Sequence, residues 1–314
     1  MEFVNITPEA QSFLDEWNDD SLFVTARTSG STGIPKEIRL LKKDMMASAA
    51  ATCRYFNIQP KDRLLCPLSA NYIAGKMMIV RAIVSGADLI FESPSRTPLQ
   101  NDYGEIKLLP IVPAQLAGLD REKVNKVRNL LIGGAPLSPS QEEYAATLPS
   151  DVYVSYGMTE TCSHIALRKV GEAPFYTALP GVTFETDSES CLKINAPDFS
   201  FGTLRTNDVV KIISSTSFQW LGRKDNVVIS GGLKLHPEMI EQKIGAMITA
   251  PYYLLGEEDE QWGQKLVMYV KGEEDRSVWE TLKKILTSTE MPKDIRFVPE
   301  FEYTASSKVK RILL

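Results

Sequence analysis

The sequence predicts an α/β fold: a large domain built on a largely parallel sheet, then a small α+β domain. Three observations carry this. Short β-branched and leucine-rich runs alternate with helix-spaced runs from Leu22 to Gly157. Polar or glycine-rich turns close three of those strand-like runs. The pattern then changes character, first near Thr177 and again near Asp225.

Taken in order, residues 22–25 (Leu-Phe-Val-Thr) read as a strand that ends in a Gly/Ser/Thr turn. Residues 42–56 read as a helix, because Met45, Ala49 and Cys53 recur at i, i+4 spacing. A strand is expected at 63–66, a mostly apolar helix at 75–85 and a strand at 88–91. Two further strands are expected, 129–132 stopped by Gly133 and Gly134, and 152–155 stopped by Gly157. In parallel sheets ligands gather at the carboxyl ends of strands, where these turns fall. After Thr177, short strand signals run to Gly222 and suggest a smaller β-rich subdomain. A helix starts at Pro237, led by Glu238 and continued by Met239, Ile240, Lys243 and Ile244. A strand at 266–270, a helix at 278–288 and a basic tail complete the chain. The boundary is placed near Asp225, giving domains 1–224 and 225–314.

Composition narrows the function. The 314 residues carry a net charge of -5 and a pI of about 5.4, so the basic footprint of a nucleic-acid binder is missing. The four cysteines form no C-x-x-C pair and there are two histidines, so a zinc site is not expected. The N-terminus has neither a basic n-region nor an apolar h-region. The longest apolar stretch, 73–91, is broken by Lys76, Arg81 and Asp88, so no membrane span is expected. The sequence reads as a cytoplasmic protein and leaves its oligomeric state open.

The chemistry concentrates in a few motifs. Thr28, Ser29, Gly30, Ser31, Thr32, Gly33, Ile34, Pro35 and Lys36 follow the first expected strand. Glycines let backbone N–H groups approach an anion, hydroxyls add donors, and the lysine adds a point charge suited to phosphate. Ile34 and Pro35 separate Gly33 from Lys36, so this is not a Walker loop. The nonapeptide resembles the phosphate-binding loop of the adenylate-forming superfamily, which includes acyl-CoA synthetases, adenylation domains and luciferases.

More matches follow in that superfamily's order. Gly133, Gly134, Ala135 and Pro136 resemble its adenine-side loop. The run Tyr156, Gly157, Met158, Thr159, Glu160 resembles its YGxTE motif. That resemblance implies that Tyr156 stacks on adenine, Thr159 contacts phosphate and Glu160 holds magnesium. Thr206, Asn207 and Asp208 resemble the motif whose aspartate binds the ribose hydroxyls, with Asn207 where glycine is common. Residues 221–225 resemble the hinge motif, which implies that Arg223 reaches the ribose and Asp225 is the pivot. Gly231 and Gly232 resemble the strand that lines the path of the pantetheine thiol. Residues 306–311 resemble the C-terminal signature, with Ser307 for the usual glycine, and Lys308 takes the place of the adenylating lysine.

The resemblance implies a two-step ligase using ATP, Mg2+ and CoA, with a shortened N-terminal region and a small, mobile C-terminal domain. A carboxylic acid is first joined to AMP and then passed to a thiol. Residues 66–76 and 131–139 are similar to those of the o-succinylbenzoate–CoA ligases of menaquinone synthesis. Asn71, Tyr72, Gly75, Ser163 and His164 are candidates for the acyl pocket. Arg81 suits a dianionic substrate or, on the blander reading favoured by its helix, is a solvated charge; His236 reads as a loop residue. Another acyl-CoA ligase, an enzyme loading a carrier protein, and a non-catalytic nucleotide-binding module remain open alternatives.

Overall fold

The computed structural model describes residues 1–27, 37–302 and 309–313. The candidates at 28–36 and Lys308 lie outside them. The chain opens with β1 (Phe3–Val4) and α1 (Pro8–Asn18). Thr7 caps α1 by accepting the Ala10 N–H, and Pro8 sets the first helical φ. Next come β2 (Phe23–Arg27), β3 (Glu37–Leu41), α2 (Lys42–Phe56), β4 (Arg63–Cys66), α3 (Ile73–Ser85) and β5 (Asp88–Phe91). The helix α2 ends on left-handed Asn57 and α3 on left-handed Gly86, both ordinary stop signals.

The chain continues through β6 (Ile106–Ile111), α4 (Pro113–Leu116), α5 (Arg121–Val124), β7 (Val127–Ile132), α6 (Pro139–Ala146) and β8 (Asp151–Met158). A 3-10 turn at Thr159–Thr161 leads into β9 (Ser163–Lys169), β10 (Tyr176–Ala178), β11 (Thr183–Thr186), β12 (Cys191–Ala196), β13 (Gly202–Ser214) and β14 (Ser217–Arg223). A second 3-10 turn, Lys224–Asn226, precedes β15 (Val228–Ser230), β16 (Leu233–Leu235), α7 (Pro237–Ile244), β17 (Tyr252–Asp259), β18 (Gly263–Lys271), α8 (Arg276–Ile285) and β19 (Asp294–Val298).

Twelve strands form one sheet in the order β1-β5-β4-β6-β7-β8-β9-β10-β14-β13-β12-β11. Pairings from β1 to β8 are parallel, and from β8 onward they are antiparallel. Alternating side chains of the parallel strands feed two cores. Leu64 and Leu89 join α2 and α3 on one face, while Leu65, Ile90, Leu130 and Ile132 join the core on the other. A separate sheet, β16-β15-β18-β17 with β19 on β18, packs against α7 and α8 through Leu254, Met268, Ile240 and Leu282.

Three expectations change. The strand after Leu22 joins β3 in a two-stranded ribbon and takes no place in the large sheet. Gly157 does not stop β8, which runs on to Met158. The strands after Thr177 form no sheet of their own; they extend the large sheet by antiparallel pairing. The strand β6 gave no sequence signal, because Pro110 argues against an inner strand. It is tolerated because β6 registers with β4 only at Leu64 and Leu108. No helix among the described residues is long and apolar enough to cross a membrane.

Candidate active site

Two turns frame the site. At the end of β7 the Gly133 N–H donates to the Ile111 carbonyl at 3.0 Å. A Cβ on Gly133 would lie 2.5 Å from Ser155 Oγ, and Gly134 takes φ +89°, the left-handed conformation that favours glycine where the chain turns away. Ala135 and Pro136 follow directly. At the end of β8 a Cβ on Gly157 would lie 2.1 Å from the Ser163 carbonyl oxygen. The β8/β9 register shifts between Tyr156 and Gly157, where the sheet changes from parallel to antiparallel. Such a bulge re-aims side chains. Thr159 is then buried and Glu160 exposed, on a turn tied down by the Met158 N–H donating to Thr161 Oγ1 at 3.0 Å.

The first cluster gathers around Asp208, which stands opposite Arg223 in the β13/β14 register. Tyr156 Oη donates to Asp208 Oδ2 at 2.6 Å, and Trp220 Nε1 donates to Oδ1 at 3.1 Å. The Asp208 N–H donates to Thr206 Oγ1 at 3.1 Å. Burial, then the neighbouring Asp208 charge, push the Tyr156 phenol well above its usual range, so it remains a donor. Its ring meets Phe218 edge-on at 5.0 Å and lies tilted to Tyr176 at 5.6 Å. Arg223 sits between two anions, with Nη1 3.9 Å from Asp208 Oδ1 and Nη2 donating to Asp225 Oδ2 at 3.1 Å. Each carboxylate oxygen accepts two bonds, so Asp208 keeps capacity for outside donors. Asn207 lies inside β13 and is not among the positive-φ residues, so its tolerance of left-handed backbone is unused.

The second cluster corrects the reading of Arg81. It is not solvated: it is 2% exposed, on the inner face of α3. Its Nη2 donates to Ser163 Oγ at 3.0 Å and lies 3.4 Å from His164 Nδ1. Among the described residues no carboxylate lies within ion-pair distance of it, and its Nε has no partner. Burial brings the guanidinium down to about 10, still cationic at neutral pH, with the Cys53 and Cys66 thiols opposing the shift. His164 Nε2 lies 3.1 Å from Thr52 Oγ1, and that hydroxyl donates to the Ser48 carbonyl at 3.1 Å. Thr52 therefore accepts from Nε2–H, which leaves the Nδ1 lone pair facing Arg81. Burial, then the Arg81 charge, hold His164 well below the usual histidine range, and it is neutral. Because His164 pairs with Gly157 across β8/β9, this cluster lies one residue from Tyr156.

The other acyl-pocket candidates fall elsewhere. Asn71 and Tyr72 are exposed. A Cβ on Gly75 would lie 2.3 Å from the Ser69 carbonyl oxygen, so its bareness serves the packing of that loop on α3. Asn71 lines a cavity of about 260 Å³ with Glu9, Phe13, Glu16, Thr25 and Lys76.

On the second sheet, Gly231 and Gly232 take φ +57° and +82° in the β15/β16 turn, with Ile229, Leu233 and Trp262 exposed around them. His236 is the N-cap residue of α7, half-buried, and its Nδ1 is without a partner among the described residues. Among the described residues no three His, Cys, Asp or Glu side chains gather to hold a metal. The exposed Glu160 makes no hydrogen bond or ion pair among them. A lone carboxylate of this kind suits Mg2+, which takes one or two carboxylates and fills its remaining positions with water and phosphate oxygens.

A family model described as AMP-binding enzyme matches residues 6–187. A 2-succinylbenzoate–CoA ligase of Listeria monocytogenes is 26% identical over 330 residues, 95% of this chain and 70% of its own length. The crystal structure of an acyl-CoA synthetase (AMP-forming)/AMP-acid ligase II-like protein from Dyadobacter fermentans is 33% identical, with a TM-score of 0.66 over 97% of this chain and 92% of that one. The structure of O-succinylbenzoate coenzyme A synthetase from Bacillus subtilis, in complex with ATP and magnesium ion, has a TM-score of 0.78. That match covers 91% of this chain and 68% of the other at 21% identity, a likeness of fold.

Proposed function

Because the chain belongs to the AMP-binding enzyme family, and is an AMP-forming acid–CoA ligase, we propose that its acid carries a second carboxylate and is of the o-succinylbenzoate type. The observation that carries this reading is Arg81, a buried cation with no carboxylate partner among the described residues. A charge in that position costs several kcal/mol unless a counter-ion arrives, on the order of the desolvation penalty of one ion. Ser163 and neutral His164 hold the guanidinium without neutralising it, so the anion is left for a ligand to supply. The names of the curated relatives support the same acid class.

In the first half-reaction a carboxylate oxygen attacks the α-phosphorus of ATP. The bond to the bridging oxygen breaks and pyrophosphate leaves. In the second, the CoA sulfur attacks the acyl carbon, loses its proton, and the C–O bond to AMP breaks. Position and charge supply most of the rate in chemistry of this kind. Within this proposal Asp208 accepts ribose hydroxyls and Tyr156 holds both that carboxylate and the purine face. Arg223 completes the ribose end, Lys36 and its loop meet the β- and γ-phosphates, and Lys308 meets the attacking carboxylate. Glu160 would hold Mg2+, and the ion would offset charge on the departing pyrophosphate.

The test is pyrophosphate release from ATP and magnesium across a panel of carboxylic acids, with and without CoA. The expected outcome is release with o-succinylbenzoate, giving AMP and an acyl-CoA. Release only with monocarboxylic acids would discard the assignment of Arg81 and keep the ligase chemistry.

A further inference from the structure

The ribbon of β2 and β3 carries residues 28–36 between its strands, yet among the described residues it is paired to no other strand. The outer edge of β2 is occupied by side chains. Glu16, in the last turn of α1, accepts the Thr25 N–H through Oε1 at 2.6 Å. Lys76, in the first turn of α3, donates through Nζ to the Thr25 carbonyl at 2.8 Å. The two side chains also pair with each other, Nζ to Glu16 Oε2, at 3.2 Å. One residue of β2 therefore has both backbone groups held by an ion pair, much as a neighbouring strand would hold them.

Lys76 is held there by these partners. A cation is disfavoured in the first turn of a helix. It is 8% exposed on a helix otherwise almost wholly apolar, and its ammonium lies 4.8 Å from the Phe13 ring centroid. Removing either partner frees the edge of β2 three residues before Thr28.

We propose that Glu16 and Lys76 are positioning residues for the phosphate loop, fixing the strand from which it springs and so setting affinity for the β- and γ-phosphates. This rests on the reading of residues 28–36 as that loop. The pair bonds to Thr25 and to none of Tyr156, Asp208 and Arg223, so its loss should weaken ATP and spare AMP.

The experiment measures ATP and AMP dissociation constants by titration calorimetry with magnesium and no acid present. The proteins are the unaltered chain, Lys76→Met, Lys76→Arg and Glu16→Gln. In Lys76→Met the ATP dissociation constant is expected to rise about tenfold, in the range of a lost charge-assisted hydrogen bond. AMP binding is expected to stay within about twofold, with Lys76→Arg recovering most of the ATP affinity. Glu16→Gln keeps an acceptor for Thr25 but loses the charge, and is expected to give a smaller ATP-selective loss. It also carries the test should Lys76→Met fail to fold. Equal weakening of ATP and AMP, or no change in a folded variant, would overturn the proposal. An unaltered chain that binds AMP but not ATP would instead remove the phosphate-loop reading, and the proposal with it.

Discussion

The polar groups around Asp208 and those around Arg81 lie one residue apart along β8, yet they are built on opposite plans. Asp208 has its donors inside the protein: Tyr156, Trp220 and, at longer range, Arg223. Arg81 has hydroxyl, imidazole and thioether neighbours and no carboxylate among the described residues. The first is a finished network that holds its shape before a ligand comes. The second leaves a charge in the core with no counter-ion among the described residues. A group common to every turnover can be organised in advance, whereas a group that selects the acid is most selective when only the right anion completes it.

The sharpest way to break this contrast is Arg81→Met. Removing the open cation should lower kcat/KM for a dicarboxylic acid roughly 10²–10³-fold, the range for losing one partner of a buried charge pair. The same change should raise unfolding stability by about 1–3 kcal/mol in urea titration, since apolar replacement of buried charge is commonly stabilising. A loss of stability would mean that the cluster is structural. Asp208→Asn tests the other plan. ATP and AMP should weaken together, by roughly 10–100-fold, because both carry the ribose and a charged acceptor is lost.

The pH dependence separates the two regions further. Burial depresses His164 below the unfolded value, so the unfolded chain takes up a proton first and stability falls as pH drops below about 6.5. His164→Gln should flatten that fall by up to about 1.4 kcal/mol per pH unit, read from urea midpoints at pH 7 and 5. His236 is depressed in the same direction, so some slope should remain. The smallest effect is expected of Trp220→Phe, which removes one side-chain donor to Asp208 and leaves Tyr156 and Arg223, and should weaken ATP only about fivefold. A change as large as that of Asp208→Asn would show that the aspartate depends on one donor alone.

The strand ends that carry the candidate nucleotide motifs were largely legible in the sequence, because those motifs are local. Tyr156, Gly157, Thr159 and Glu160 come from one strand end, and Gly133 and Gly134 from another. Helix α2 was read to the residue, since i, i+4 spacing is a local signal. The Arg81 cluster was not legible. It joins α2, α3 and β9 through Thr52, Arg81 and His164, and nothing in a helix pattern says which cation faces the core. The ribbon was missed for the same reason: whether β2 meets β3 or the large sheet is settled by long-range pairing. The strands after Thr177 gave local β signals, but their membership of the large sheet depends on β10 bridging β9 and β14.

Arg223 ends β14 and leads straight into the turn Lys224–Asn226, so one guanidinium is shared between Asp208 and the linker to the second sheet. Neutralisation of Asp208 and the set of the linker therefore draw on the same cation. A turn of the backbone at Asp225 that released Nη2 would free the arginine to close on Asp208, and a ligand that claimed it there would loosen the linker. Occupancy and orientation would thus be written on a single side chain, like two readings of one dial.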